Sequence, residues 1–184
     1  RLAYSTVSQL SYIVLGALLA SNASVLGSAL HISMHAFAKI TLFFAAGAIL
    51  VASHKTNISE MDGLGRMMPL TFGAFLIGSL SIIGLPPFGG LWSKWYLGMG
   101  AVETGQWIML SVLLISSLLN IAYLLPIPVR GFFGKASDGS ISGRINEAPL
   151  SCLIAMAITS VACVLLFFYP DPFYELAMDF AGVK

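Results

Sequence analysis

The sequence predicts an all-α membrane protein of about five transmembrane helices, the third of them discontinuous. Three observations carry that expectation. Charged residues make up 9% of the 184-residue chain and hydrophobic residues 58%, with a mean hydropathy of +0.90. A soluble domain is about a quarter charged, so this chain lacks the side chains to cover a water-facing surface. Apolar runs of roughly 20 residues, enough to cross a bilayer, alternate with short polar punctuation. One run is interrupted by Gly84-Leu85-Pro86-Pro87-Phe88-Gly89-Gly90, which no regular helix accommodates.

The first span covers about 3–21 and ends at Ser21-Asn22. The second, about 25–52, is long enough to cross with tilt or to protrude. A polar loop from His54 to Met68 follows. The third element, 69–104, would be about 54 Å long as one helix, well beyond a bilayer. Pro86 and Pro87 remove two backbone donors and clash with the preceding turn. Two half-helices, 69–84 and 90–103, resolve both problems, with the break at Gly84, Pro86, Pro87, Gly89 and Gly90. Irregular backbone at membrane depth requires protein or a water-filled cavity around it, and transporters hold ion sites at such breaks. The fourth span is about 106–131 and the fifth about 149–169, separated by a hydrophilic loop from Gly131 to Glu147. The spans form one domain, 1–170. The tail 171–184 carries Phe173, Leu176, Ala177 and Phe180 at spacings that suit a short interfacial helix.

Loop charges orient the chain. If each element crosses once, Arg1, Lys55, Arg66, Arg130, Lys135 and Arg144 share one side, and the other holds Lys184 with Glu103, Asp171, Glu175 and Asp179. The positive-inside rule makes the first side cytoplasmic and the tail's side the opposite one. The expected residence is a prokaryotic inner (plasma) membrane. Arg1, rather than Met, opens the sequence and no signal-peptide pattern is visible, so the expectation is part of a longer protein.

Within the second span, His31, His35 and Lys39 recur every four residues in a stretch, Ser24 to Ser53, with no other ionisable group. Steps of four drift by about 40°, so the three share one stripe roughly 12 Å tall. An ionised lysine at membrane depth costs at least ~2.5–3.5 kcal/mol, which asks for a purpose. Lys94, one turn into the second half-helix, is the other intramembrane cation. Every acidic residue lies in a loop, at a span end or in the tail, so neither lysine has a carboxylate partner within the spans. Either the lysine spends part of its time neutral, or another segment or subunit pairs with it. Both conditions suit proton exchange, and histidine exchanges protons near neutrality. Ser5, Ser8, Gln9 and Tyr12 on the first span, with Ser116, Ser117, Asn120 and Tyr123 on the fourth, are candidates for a polar path. Such hydroxyls more often serve helix packing.

No Cys/His spacing matches a metal site, and no basic cluster suggests nucleic acid. Cys152 and Cys163, eleven residues apart on one helix, lie about 16 Å apart along its axis, too far for a disulfide.

Three ordered motifs carry a family resemblance. These are Leu2-Ala3-Tyr4-Ser5-Thr6-Val7-Ser8-Gln9, His31-Ile32-Ser33-Met34-His35-Ala36-Phe37-Ala38-Lys39, and Gly84-Leu85-Pro86-Pro87 followed by Trp92-Ser93-Lys94. Across essentially the whole chain the sequence resembles the antiporter-like membrane subunits. These include the proton-pumping subunits of respiratory complex I and the large subunits of multi-subunit cation/proton antiporters, with relatives in membrane-bound hydrogenases. The resemblance implies a fourteen-helix fold with two inverted five-helix repeats, of which this chain matches the tenth to fourteenth helices. It implies that Lys39 is similar to the central lysine of the second half-channel. His31 and His35 resemble the histidines leading toward it, and Lys94 resembles the broken-helix lysine or glutamate near the exit. The Tyr169-Pro170-Asp171-Pro172 tail looks closer to the D-type antiporter subunits, and Lys94 departs from the subunits with glutamate there.

The expectation is therefore a proton-translocating subunit of a multi-subunit membrane complex, moving protons along a Lys/His axis that forms one stretch of a lateral path. Redox chemistry elsewhere or a cation gradient would drive it. Such a chain is a non-redox part of an NADH:quinone oxidoreductase-like translocase or of an antiporter. It has no cofactor or catalytic residue of its own, and its partners are other membrane subunits, homologous ones included. Two alternatives stand beside it: a sodium/proton antiporter component of the D type, and a non-transporting scaffold. Hard cations prefer oxygen ligands over lysine and histidine, which disfavours sodium at these residues.

Overall fold

The computed structural model describes residues 1–134 and 145–182. Lys135, Asp138, Arg144 and Lys184 lie outside the described residues, as does the side chain of Phe180. The chain forms eight α-helices among these residues: α1 (Leu2–Leu19), α2 (Asn22–Ser53), α3 (Pro69–Ile83), α4 (Gly90–Glu103), α5 (Trp107–Leu124), α6 (Pro126–Phe133), α7 (Leu150–Phe168) and α8 (Asp171–Ala181). Two 3₁₀ turns, Ile58–Glu60 and Leu64–Arg66, link α2 to α3. α1, α2, α7 and the α5–α6 stretch Trp107–Phe133 are each long and apolar enough to cross a membrane, and α3 is a shorter apolar helix.

α2 is the hub, with α1, α3, α4, α7 and α8 packed around it. Its start is a reciprocal cap: the Ser21 hydroxyl accepts from the Ser24 amide and the Ser24 hydroxyl from the Ser21 amide. Its second half carries the main apolar core, where Leu42, Ala45, Ala48 and Ile49 meet Phe72, Phe75, Leu124 and Met156. α1 is turned the other way. It buries Ser5, Gln9, Tyr12 and Gly16 and exposes Tyr4, Val7, Leu10, Val14 and Leu18. That inversion would be unstable in water and is stable in hydrocarbon, where polar groups need protein partners and apolar ones do not.

The break in the third span is where the sequence places it. α3 stops at Gly84, whose φ of 86° is open to glycine and strained for other residues. Pro86 and Pro87 have no N–H, so the carbonyls of Ile82 and Ile83 lose their helical donors. α4 then begins against α3 so closely that a Cβ at Gly90 would lie 1.9 Å from the Ser81 carbonyl oxygen. α7 covers the gap: the Gly89 amide donates to the Cys163 carbonyl at 3.0 Å and the Trp92 indole to the Phe167 carbonyl at 3.0 Å. The freed backbone thus faces protein, as a bilayer demands.

At one end of the bundle the connecting segments meet. Arg130 forms a bidentate pair with Asp62 at 2.8 and 3.0 Å, holding that carboxyl below the usual carboxylate range. The Glu147 carboxylate caps α3 by accepting from the Leu70 amide (2.6 Å) and the Thr71 hydroxyl (2.7 Å). Arg1, Lys55 and Arg130 line one open cleft of about 980 Å³ there.

Three details differ from expectation. The fourth span is two helices joined at Leu125-Pro126. The expected loop from Gly131 starts later, because α6 continues to Phe133 with Gly131 packed on Phe72. The tail is α8, whose Phe173 and Ala177 dock on Leu30, Met34 and Leu166. Leu176, expected on the same apolar face, is exposed instead, since it sits about 100° from Ala177. Cys152 and Cys163 are both free thiols.

Candidate functional site

The helical stripe of His31, His35 and Lys39 faces inward, and all three are buried. α1 runs antiparallel beside it. The Lys39 ammonium donates to the Leu2 carbonyl at the start of α1 (3.2 Å). The His31 ring meets the Tyr12 ring edge-on ten residues later, with centroids 5.5 Å apart. The His31 and His35 rings are near parallel with centroids 5.8 Å apart. Among the described residues the Nε2 atoms of both are buried without a partner. Among the described residues no hydrogen bond joins the two rings, so a proton passing between them needs a bridging water.

Lys94 owes its position to the helix break. The Ile83 carbonyl, which would have bonded the nitrogen of residue 87 in a continuous helix, instead accepts from Lys94 Nζ at 2.9 Å. The Ser117 hydroxyl accepts from the same nitrogen at 3.1 Å, and Nζ lies 5.4 Å from the centre of the Tyr12 ring, within cation–π range. The lysine stem packs on Gly84, where a Cβ would come within 3.0 Å of Cδ. Both lysines therefore rest on neutral oxygens, and among the described residues neither has a carboxylate within ion-pair distance.

A second polar cluster fills the seam between α1 and α5. The Tyr12 hydroxyl donates to Ser116 at 2.7 Å. Tyr123 lies 2.6 Å from both Asn120 Oδ1 and Ser5 Oγ. The amide oxygen only accepts, so Tyr123 donates to Asn120 and receives from Ser5. Gln9 donates to the same Asn120 oxygen at 3.4 Å, leaving Gln9 Oε1 and Asn120 Nδ2 buried and without a partner among the described residues. Of the sequence candidates, Ser5, Tyr12, Asn120 and Tyr123 join this seam, and Ser117 reaches Lys94. Ser8 lines an open cleft with Ser5 and Tyr123 and stays outside their hydrogen-bonded cluster.

Sequence reading missed Ser93. Its hydroxyl lies 2.9 Å from His31 Nδ1 and ties the α2 stripe to the break. Ser93 does adjoin Lys94 in the motif, but its contact is 62 positions away in the chain. No helix periodicity carries that signal. No group of three or more potential metal ligands occurs among the described residues.

The family model described as "NADH:quinone oxidoreductase/Mrp antiporter, TM" matches residues 1–120. The N subunit of the NADH-quinone oxidoreductase of Desulforudis audaxviator is 35% identical over 98% of this chain, which spans 38% of that relative. The D-type Na(+)/H(+) antiporter protein of Alkalihalophilus pseudofirmus is 26% identical over 98% of the chain and is matched over 36% of its own length. Among solved structures, a chain of the Mrp complex from a Dietzia species superposes over 98% of this one with a TM-score of 0.88 at 24% identity, matching 41% of that chain. The chain thus spans about two fifths of the length of these relatives. Identity is higher to the oxidoreductase relative than to the antiporter relative, so the tail's D-type look does not assign a subtype.

Proposed function

The chain belongs to the NADH:quinone oxidoreductase/Mrp antiporter transmembrane family, and from that premise we propose that it conducts protons within a multi-subunit membrane complex. Lys39 is the central relay, His35 and His31 connect it with α4, and Lys94 is the terminal exchanger, with Tyr12 and Ser117 as its contacts. One observation carries the reading. Both buried lysines hydrogen-bond to neutral oxygens and to no carboxylate among the described residues. A fixed counter-ion would pin them charged; a carbonyl or hydroxyl accepts from the neutral amine as well as from the ammonium, so each lysine can alternate. From Lys39 the path runs about 12 Å along α2 and then steps sideways to α4. Redox chemistry or a cation gradient elsewhere in the complex drives it. The chain resides in a prokaryotic inner membrane, with the Arg1, Lys55 and Arg130 end cytoplasmic and α8 opposite. Its partners are further membrane subunits, including homologous ones.

In proteoliposomes holding the complete complex, Lys39→Ala abolishes coupled proton transport and leaves assembly near normal. Unchanged pumping would overturn the assignment. Proton flux that requires sodium would favour the exchange reading that the antiporter relative's name suggests. A scaffold would tolerate apolar replacement of His31, His35 and Lys39 together.

A further inference from the structure

Ser93 lies fully buried in the first turn of α4, with Oγ 3.1 Å from the Gly90 carbonyl oxygen and 2.9 Å from His31 Nδ1. A carbonyl oxygen only accepts, so the contact with Gly90 uses the single Ser93 proton. Ser93 then meets His31 with a lone pair, and Nδ1 must carry the hydrogen. In the neutral ring that leaves Nε2 bare, and Nε2 is the buried nitrogen with no partner among the described residues. The contact is held by backbone packing. A Cβ at Gly27, one turn before His31, would come within 2.7 Å of the Leu97 amide nitrogen and 3.0 Å of the Ser93 carbonyl oxygen. α2 and α4 touch there, which keeps the backbones that carry the imidazole and the hydroxyl close together. The other groups facing the ring are Tyr12 from α1, His35 from its own helix and Lys94 beside Ser93. No carboxylate among the described residues competes for Nδ1.

We propose that Ser93 is a positioning residue that holds His31 as its Nδ1–H tautomer, making Nε2 the atom at which this histidine takes up and returns a proton. The inference rests on His31 belonging to the relay. An incoming proton bonds to the Nε2 lone pair and gives an imidazolium with both nitrogens protonated. The same Nε2–H bond then breaks as the proton moves on, and Nδ1–H stays on Ser93 throughout. His31 needs neither a ring flip nor a tautomer change between cycles, unlike a histidine that receives at one nitrogen and releases at the other.

The test uses the complete complex with ¹⁵N-labelled histidine, the His31 signals being assigned by their loss in His31→Gln. Above the titration of the ring, wild type shows Nδ1 protonated and Nε2 bare. Ser93→Ala moves the ring toward the Nε2–H form that a free histidine side chain favours. It also slows proton pumping roughly two- to tenfold, the equivalent of one lost hydrogen bond. Ser93→Thr, in assembled complexes, restores both readouts. A wild-type ring protonated at Nε2, or ring signals unchanged in Ser93→Ala, overturns the inference. If His31→Gln pumps like wild type, the relay reading fails. If His31→Gln is impaired while Ser93→Ala is unaltered in signals and rate, only the positioning role fails.

Discussion

Two buried polar regions run side by side through this bundle, and they are built on opposite principles. The α2–α4 stripe consists of His31, His35, Lys39 and Lys94, groups that change charge, and each lysine rests on a neutral oxygen. The α1–α5 seam consists of Ser5, Gln9, Tyr12, Ser116, Asn120 and Tyr123, hydroxyl and amide groups, and most of its hydrogen bonds run from one side chain to another. If the proposed assignment holds, polarity within a membrane is by itself a poor guide to transport. Whether a group can change protonation, and whether its partners let it, separates a conductor from a brace. On the proposed reading the stripe exchanges protons, and the seam holds α1 and α5 in register around it; the two meet where Tyr12 and Ser117 contact Lys94.

The sharpest way to break this contrast is to exchange the character of one group in each region. Lys94→Met keeps most of the stem volume and removes the exchanger. Proton pumping in reconstituted complexes falls by roughly 10²-fold or more, the scale of losing a proton-transfer group, while assembly on a native gel is retained. Pumping near wild type would move Lys94 from the stripe to the braces. His35→Gln removes a titratable ring whose Nε2 is buried without a partner among the described residues and reduces pumping about tenfold, since water can bridge part of the gap; an undiminished rate would show that protons bypass it.

The seam gives the converse result. Asn120→Leu removes the acceptor shared by the Tyr123 hydroxyl and the Gln9 amide and leaves the Gln9 amide unpaired, destabilising the protein by about 1–3 kcal/mol and lowering its melting temperature, with pumping per assembled complex little changed. A large loss of pumping at unaltered stability would make the seam part of the path. The smallest effect belongs to Asp62→Asn, at the exposed pair with Arg130. The folded-state pKa of Asp62 lies below its unfolded value, so the pair's contribution is present at neutral pH and fades as pH falls through the depressed pKa. The variant loses that acid sensitivity in a stability-against-pH series, and pumping does not change.

Which parts of this were legible in the sequence follows from distance along the chain. Period and punctuation gave the spans, and two adjacent prolines between glycines gave the break. The four-residue spacing of His31, His35 and Lys39 gave one stripe because neighbours on a helix are neighbours in sequence. Contacts between helices carry no such signal. The Ile83 carbonyl as the seat of Lys94, Ser93 against His31, and Gln9 against Asn120 each depend on how closely two helices approach; Gly90 permits the first approach and Gly27 the second through the side chains they lack. The caps were legible only in part. Ser21 and Ser24 are three residues apart, whereas Glu147 reaches α3 across a chain separation of 77 residues.

The inverted face of α1 changes how substitutions in this helix should be scored. Hydropathy-based ranking would penalise a polar change at Val7 or Val14 and welcome Leu at Gln9. The burial pattern reverses the weight of the second judgement. Val7 and Val14 look outward, so an apolar residue of similar size there disturbs no contact within this bundle. Gln9→Leu reads as a gain in membrane compatibility, yet it lands against Asn120 inside the bundle, where a greasy side chain is the foreign object.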